Sequence, residues 1–114
     1  MLRRTGQSTT APQNILRAGD IKLDAQTYMV SKKGVNVNLS ATEFRLLHYM
    51  MQRRGRVLTR DMLLDAVWRD EAYVEPRTVD VHIRRLREQI EEDPARPVYI
   101  KTRRGIGYYF EDNL

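Results

Sequence analysis

Cysteine is absent from the chain, and that absence excludes disulfide frameworks, zinc ribbons, iron–sulfur clusters and thiol nucleophiles. Only two histidines occur, His48 and His82. They are too few to build a metal site, and no metal and no cofactor are expected. No apolar run reaches transmembrane length and no signal-peptide core is present, so the cytoplasm is the expected location. No nucleophile–base pair, phosphate-binding glycine loop or pocketed carboxylate pair is recognisable, which argues against an enzyme. What the chain has in excess is positive charge: 20 Lys and Arg face 15 Asp and Glu, a net charge of +5. Such a balance favours polyanionic partners without deciding among them. At 114 residues a single domain with one core is expected.

Met1 to Asn14 is rich in Ser, Thr, Gln, Gly and Pro and nearly free of apolar residues, so residues 1–14 are expected to be a flexible linker or tail. Residues 15–114 are expected to form one domain. From Ile21 onward, Ile21 and Leu23, then Tyr28 and Val30, then Val35, Val37 and Leu39 alternate with polar residues. Three short strands are predicted, paired antiparallel across Asp24 to Thr27 and Lys33-Gly34. Ser40-Ala41-Thr42-Glu43 is a capping box with Leu39 and Phe44 at the staple positions, and it opens a helix that Gly55 ends. Val57-Leu58 suits a brief strand. Thr59 is the predicted N-cap of a second, short helix, although Met62 stands where a capping-box partner belongs. Pro76 suits the first turn of a third helix, and Pro94 and Pro97 bracket its exit. The closing segment reads as a β-hairpin whose tip is Arg103-Arg104-Gly105-Ile106-Gly107.

On the third helix, Val79, Ile83, Leu86 and Ile90 fall within one narrow arc, the predicted buried face. Arg77, Val81, Arg84 and Arg85 lie opposite, with Thr78 nearby and Asp80, His82 and Arg87 on the flanks. A helix presenting forked guanidiniums suits a major groove, where Arg pairs with guanine and small apolar groups such as Val81 and Thr78 meet thymine methyls. The competing reading is a solvated helix whose arginines pair with Glu75, Asp80, Glu88 or Glu91. Arg103 and Arg104 on a slim hairpin favour the first reading, because they suit a narrow minor groove beside that helix. The fold class is therefore α+β, a winged helix-turn-helix with an N-terminal antiparallel sheet, three helices and a C-terminal β-hairpin wing.

The runs Thr42-Glu43-Phe44-Arg45-Leu46-Leu47, Val57-Leu58-Thr59-Arg60, Val67-Trp68, Tyr73-Val74-Glu75, Arg77 to Arg87 and Thr102-Arg103-Arg104-Gly105-Ile106-Gly107-Tyr108 resemble the OmpR/PhoB family of response-regulator effector domains. The resemblance covers Ile15 to Phe110, and Val74 to Arg87 look most like the family's phosphate-regulon members. It implies sequence-specific binding of double-stranded promoter DNA for transcription regulation, as the output of a two-component system. Carried over residue by residue, Arg77, Thr78, Val81, His82, Arg84, Arg85 and Arg87 resemble the major-groove contacts. Thr59, Arg60, Trp68 and Thr102 resemble backbone contacts, and Arg104, with Arg103 beside it, resembles the minor-groove wing arginine. Arg69, Asp70, Glu71, Tyr73 and Glu75 correspond to the loop that contacts RNA polymerase. Glu88 interrupts the cationic face, so the groove contact is expected to end by Arg85 or Arg87. The implied partners are promoter DNA with direct repeats, RNA polymerase, and a receiver domain with its sensor kinase, for which this chain has no room. The isolated chain is expected to be a monomer that forms a tandem dimer on DNA. The rival functions are a winged-helix interaction module that reads no DNA, and non-specific nucleic-acid packaging.

Overall fold

The computed structural model describes residues 14–69, 71 and 74–114. All of the expected tail except Asn14, and the loop positions Asp70 and Tyr73, lie outside the described residues. A four-stranded antiparallel meander comes first: β1 (Ile15–Ala18), β2 (Ile21–Asp24), β3 (Met29–Lys32) and β4 (Val35–Val37), in that spatial order. Three helices follow, α1 (Ala41–Gln52), α2 (Arg60–Val67) and α3 (Arg77–Ile90), with β5 (Leu58–Thr59) between the first two. The hairpin β6 (Ile100–Arg103) and β7 (Gly107–Phe110) closes the chain, and β5 joins it in a three-stranded sheet of order β5-β7-β6. This is the expected winged-helix order with one strand more.

The added strand is β1. Its inward residues Leu16 and Ala18 pair with Leu23 and Ile21, but Ile15 beside Leu16 breaks the alternation that would mark a strand in sequence. Two expected strand residues lie outside the sheet. Tyr28 has φ +60 and is 65% exposed, and its ring stacks on Phe44 at 4.8 Å. Leu39 follows β4 and packs against the core from the connection to α1. The β3–β4 turn is Lys33-Gly34, with φ +52 and +80. Positive φ at both central residues is the hairpin geometry whose twist matches the flanking strands.

The capping box of α1 forms as expected: Glu43 N donates to Ser40 Oγ at 3.1 Å, and Ser40 N donates to Glu43 Oε1 at 3.4 Å. At α2 only half of that arrangement exists, Met62 N donating to Thr59 Oγ1 at 3.1 Å. Val79, Ile83, Leu86 and Ile90 are fully buried along α3, each stabilising the fold by roughly 1.5–3 kcal/mol relative to exposure. They share one core with Leu46, Leu47 and Met50 of α1, Leu63 of α2, Leu23 of the first sheet, and Ile100 and Phe110 of the hairpin. The wing is therefore anchored at its base in the same core as the third helix.

Two further contacts fix that base. A Cβ on Gly107 would stand 2.0 Å from the Leu58 carbonyl oxygen, so the approach of β7 to β5 requires glycine. At the end of α3, Glu91 leaves the helix with extended backbone and is only 6% exposed. Its Oε1 accepts from Val98 N at 2.7 Å and its Oε2 from Tyr99 N and Ile100 N at 3.0 and 2.8 Å. A carboxylate thus satisfies the backbone donors where the chain enters β6, tying the hairpin to the C-terminus of the helix.

Candidate nucleic-acid interface

Because Val79, Ile83, Leu86 and Ile90 bury one side of α3, the opposite side must face solvent. The side chains of Arg77 and Arg84 are each 82% exposed, and Arg85 and Val81 are exposed beside them. Arg77 Nε lies 2.7 Å from Glu75 Oε1, and Arg84 Nε lies 3.9 Å from Glu88 Oε2. Exposed pairs of this kind contribute little to stability and yield readily to a stronger anion. Arg85 has no salt-bridge partner among the described residues. Thr78 and His82 are half-buried, and His82 Nδ1 donates to the Thr78 carbonyl at 2.9 Å.

Trp68, which the resemblance matched to a backbone contact, is buried and meets His82 edge-to-face at 5.1 Å. It supports the outer helix from beneath. Thr59 is occupied as a helix cap. On the wing, Arg103, Arg104, Gly105 and Ile106 are exposed at the tip, where Gly105 takes φ +78. The Arg103 guanidinium lies 5.5 Å from the Tyr109 ring centroid. Arg69, Glu71 and Glu75 are exposed around the loop before α3.

Arg87 has a different setting from the other arginines of α3. Its Nε donates to the Ile100 carbonyl at 3.0 Å and its Nη2 to Thr102 Oγ1 at 2.9 Å. Burial lowers its pKa from the usual guanidinium value, with Tyr108 and Glu91 acting in the opposite sense, and it stays charged because that value lies so far above neutrality. Arg87 and Thr102, expected as separate DNA contacts, therefore meet each other and join the helix to the wing.

Arg60 is likewise engaged. Its Nε donates to Asp80 Oδ1 at 2.9 Å, and its guanidinium lies 5.7 Å from the centroid of the Tyr108 ring. The hydrogen bond and charge of Asp80 raise its pKa. The Tyr108 hydroxyl donates to the same Asp80 oxygen. Burial, then Asp80, raises the phenol's pKa. The Arg87 guanidinium lies 5.6 Å from that ring as well. Asp80 and Tyr108 were not singled out as site residues. In sequence Asp80 is one acid on a charged helix and Tyr108 one aromatic of a strand, and only the fold brings them together across 28 positions.

The surface that results is a cationic helix face beside a cationic hairpin tip, with Arg60 between helix and hairpin. Among the described residues no group of three or more His, Cys, Asp or Glu could hold a metal ion, and no helix is long and apolar enough to cross a membrane.

Comparison with known proteins gives a consistent set of relatives. The family described as "Transcriptional regulatory protein, C terminal" matches residues 34–110. The sensory transduction protein RegX3 of Mycolicibacterium smegmatis is 46% identical over 101 residues, covering 89% of this chain and 44% of that protein. RegX3 of Mycobacterium tuberculosis is 42% identical over 112 residues, covering 97% and 49%. The chain spans about half the length of the curated relatives it matches. Among solved structures, the response regulator DrrB of Thermotoga maritima, an OmpR/PhoB homolog, superposes with a TM-score of 0.80 at 42% identity, covering 87% of this chain and 45% of that one. The RstA DNA-binding domain of Klebsiella pneumoniae, solved in complex with the RstA box, superposes with a TM-score of 0.76 at 33% identity, covering 85% and 96%.

Proposed function

The chain belongs to the OmpR/PhoB family of response-regulator DNA-binding domains, and from that premise we propose that α3 enters a major groove of promoter DNA while the β6–β7 wing reaches the adjacent minor groove. One observation carries this reading: the exposed face of α3 and the exposed arginines of the wing are both cationic, and Arg87 holds the two elements together through Ile100 and Thr102. Arg84 and Arg85 supply forked donors to base edges or adjoining phosphates, Val81 supplies methyls to thymine, and Arg77, Thr78 and His82 flank them. Arg60 contacts phosphate beside Thr59 and Trp68, and Arg104 with Arg103 enters the minor groove. In the RstA domain the same fold is seen with DNA bound.

In this reading residues 15–114 are the output unit of a longer cytoplasmic response regulator, and residues 1–14 link it to a receiver domain that a sensor kinase controls. Two copies sit head to tail on direct repeats. The loop from Arg69 to Glu75 faces RNA polymerase, because Glu71 and Glu75 are exposed acids beside the binding face that repel a duplex and suit a protein partner.

Selection of duplexes from a random pool tests the proposal. The full chain should enrich one sequence family containing a direct repeat and prefer it over random duplex by at least ~10³ at a fixed salt concentration. Equal affinity for selected and random duplexes rejects it in favour of packaging, and failure to bind either rejects it in favour of an interaction module.

A further inference from the structure

The DNA-facing surface contains one acid engaged with both a neighbouring helix and the wing. Asp80 sits on α3, one turn from Arg84 and beside the cationic face, and it is only partly exposed. Its Oδ1 accepts from Arg60 at the start of α2 and from Tyr108 on β7. Arg60 and Arg87 both lie near the Tyr108 ring, and Arg87 in turn holds β6. The three elements that reach DNA in the proposed reading, α2, α3 and the wing, therefore converge on this carboxylate.

An acid in a DNA-binding face repels phosphate on every duplex, whatever its sequence. Asp80 takes the Nε–H of Arg60, and a guanidinium held at Nε keeps its Nη nitrogens available for a phosphate oxygen. Arg60 is then fixed relative to α3 and aligns with a phosphate when α3 itself is seated in its groove. On an unfavourable sequence α3 is not seated, and the repulsion remains without the benefit of alignment.

We infer that Asp80 is a positioning residue for sequence discrimination: by holding Arg60 and Tyr108 it couples the phosphate contact of α2 and the placement of the wing to correct docking of α3, and it weakens binding to all other DNA. This inference rests on the proposed DNA-binding reading and adds a residue that does not itself touch DNA.

Two variants of the full chain test it, each titrated against the best duplex selected by the wild-type protein and against random duplex of equal length, over a series of salt concentrations. Asp80→Asn keeps an acceptor oxygen and removes the charge. It should tighten binding to random duplex by about fivefold, with a salt slope steeper by up to about one unit as Arg60 becomes free to pair with any phosphate. Affinity for the selected duplex should stay level or fall, so that the preference drops at least about fivefold. Tyr108→Phe keeps the charge and removes only the hydroxyl. It should leave random-duplex binding and the salt slope within about twofold of wild type and weaken the selected duplex by about fivefold. A merely structural role predicts that both duplexes weaken together alongside a lowered melting temperature, and that result overturns the inference. So does a preference within twofold of wild type in Asp80→Asn. Absence of preference in the wild type refutes the DNA-reading proposal itself, and the inference falls with it.

Discussion

Replacing Glu91 by Gln tests how the wing is anchored. The change is isosteric, yet the carboxylate accepts from the backbone N–H groups of Val98, Tyr99 and Ile100 while almost fully buried. Gln carries one acceptor oxygen, so its amide NH2 must face at least one of these donors. One charge-assisted hydrogen bond is lost, worth about 1.5–3 kcal/mol, and the remaining bonds become neutral ones of about 1 kcal/mol each. Relief of the buried charge offsets part of that loss. A net destabilisation of roughly 2 kcal/mol follows, which for a domain of this size lowers Tm by about 8–16 °C. Thermal unfolding followed by circular dichroism at pH 7 measures it. A change in Tm below about 3 °C refutes the view that the carboxylate, and not merely a polar group of its shape, holds β6 to α3.

Three other outcomes follow from particular contacts. Gly107→Ala drives a methyl into the Leu58 carbonyl and should cost roughly 2–4 kcal/mol, read by urea denaturation, with loss of slow amide exchange where Leu58 pairs with Tyr108. His48 is held below the usual imidazole pKa first by burial and then by Arg53, so the unfolded chain takes up the proton at higher pH than the folded one. Its contribution is intact above about pH 6.5, is lost as pH falls from there through the folded value, and then levels off; the difference in Tm between wild type and His48→Gln should shrink across that window. Substituting Asp70 and Glu71 by Ala should leave affinity for the selected duplex within twofold and reduce activated transcription in a reconstituted assay, whereas equal loss of both removes the polymerase assignment.

The parts of the fold written in local chemistry were legible in the sequence. Ser40 and Glu43 announce α1, the spacing of Val79, Ile83, Leu86 and Ile90 orients α3, and Lys33-Gly34 places a hairpin turn. Strand β1 was not legible, because four residues with Ile15 next to Leu16 carry too little period to stand out, and the sheet partners that make it a strand lie elsewhere in the chain. The exposed cations of the interface were found for the same reason as the buried face, being its complement on one helix. Its internal organisation was not. Arg60, Arg87 and Thr102 were carried over from the family resemblance as separate contacts, while their partners Asp80, Tyr108 and Ile100 are distant in sequence. Glu91 read as one more acid on a solvated face, since nothing local marks a carboxylate that will be buried against backbone donors from another segment.

The central claim, that α3 reads bases, is tested most directly through Arg85, which is exposed and has no salt-bridge partner among the described residues. Titration of Arg85→Ala and wild type against the selected duplex, its single-base variants and random duplex at one salt concentration isolates its role. A base contact predicts a loss of about 1–3 kcal/mol on the selected duplex, relaxed preference at one base position, and a smaller effect on random DNA. Uniform weakening of every duplex with base preference intact contradicts it, and reduces Arg85 to a phosphate contact.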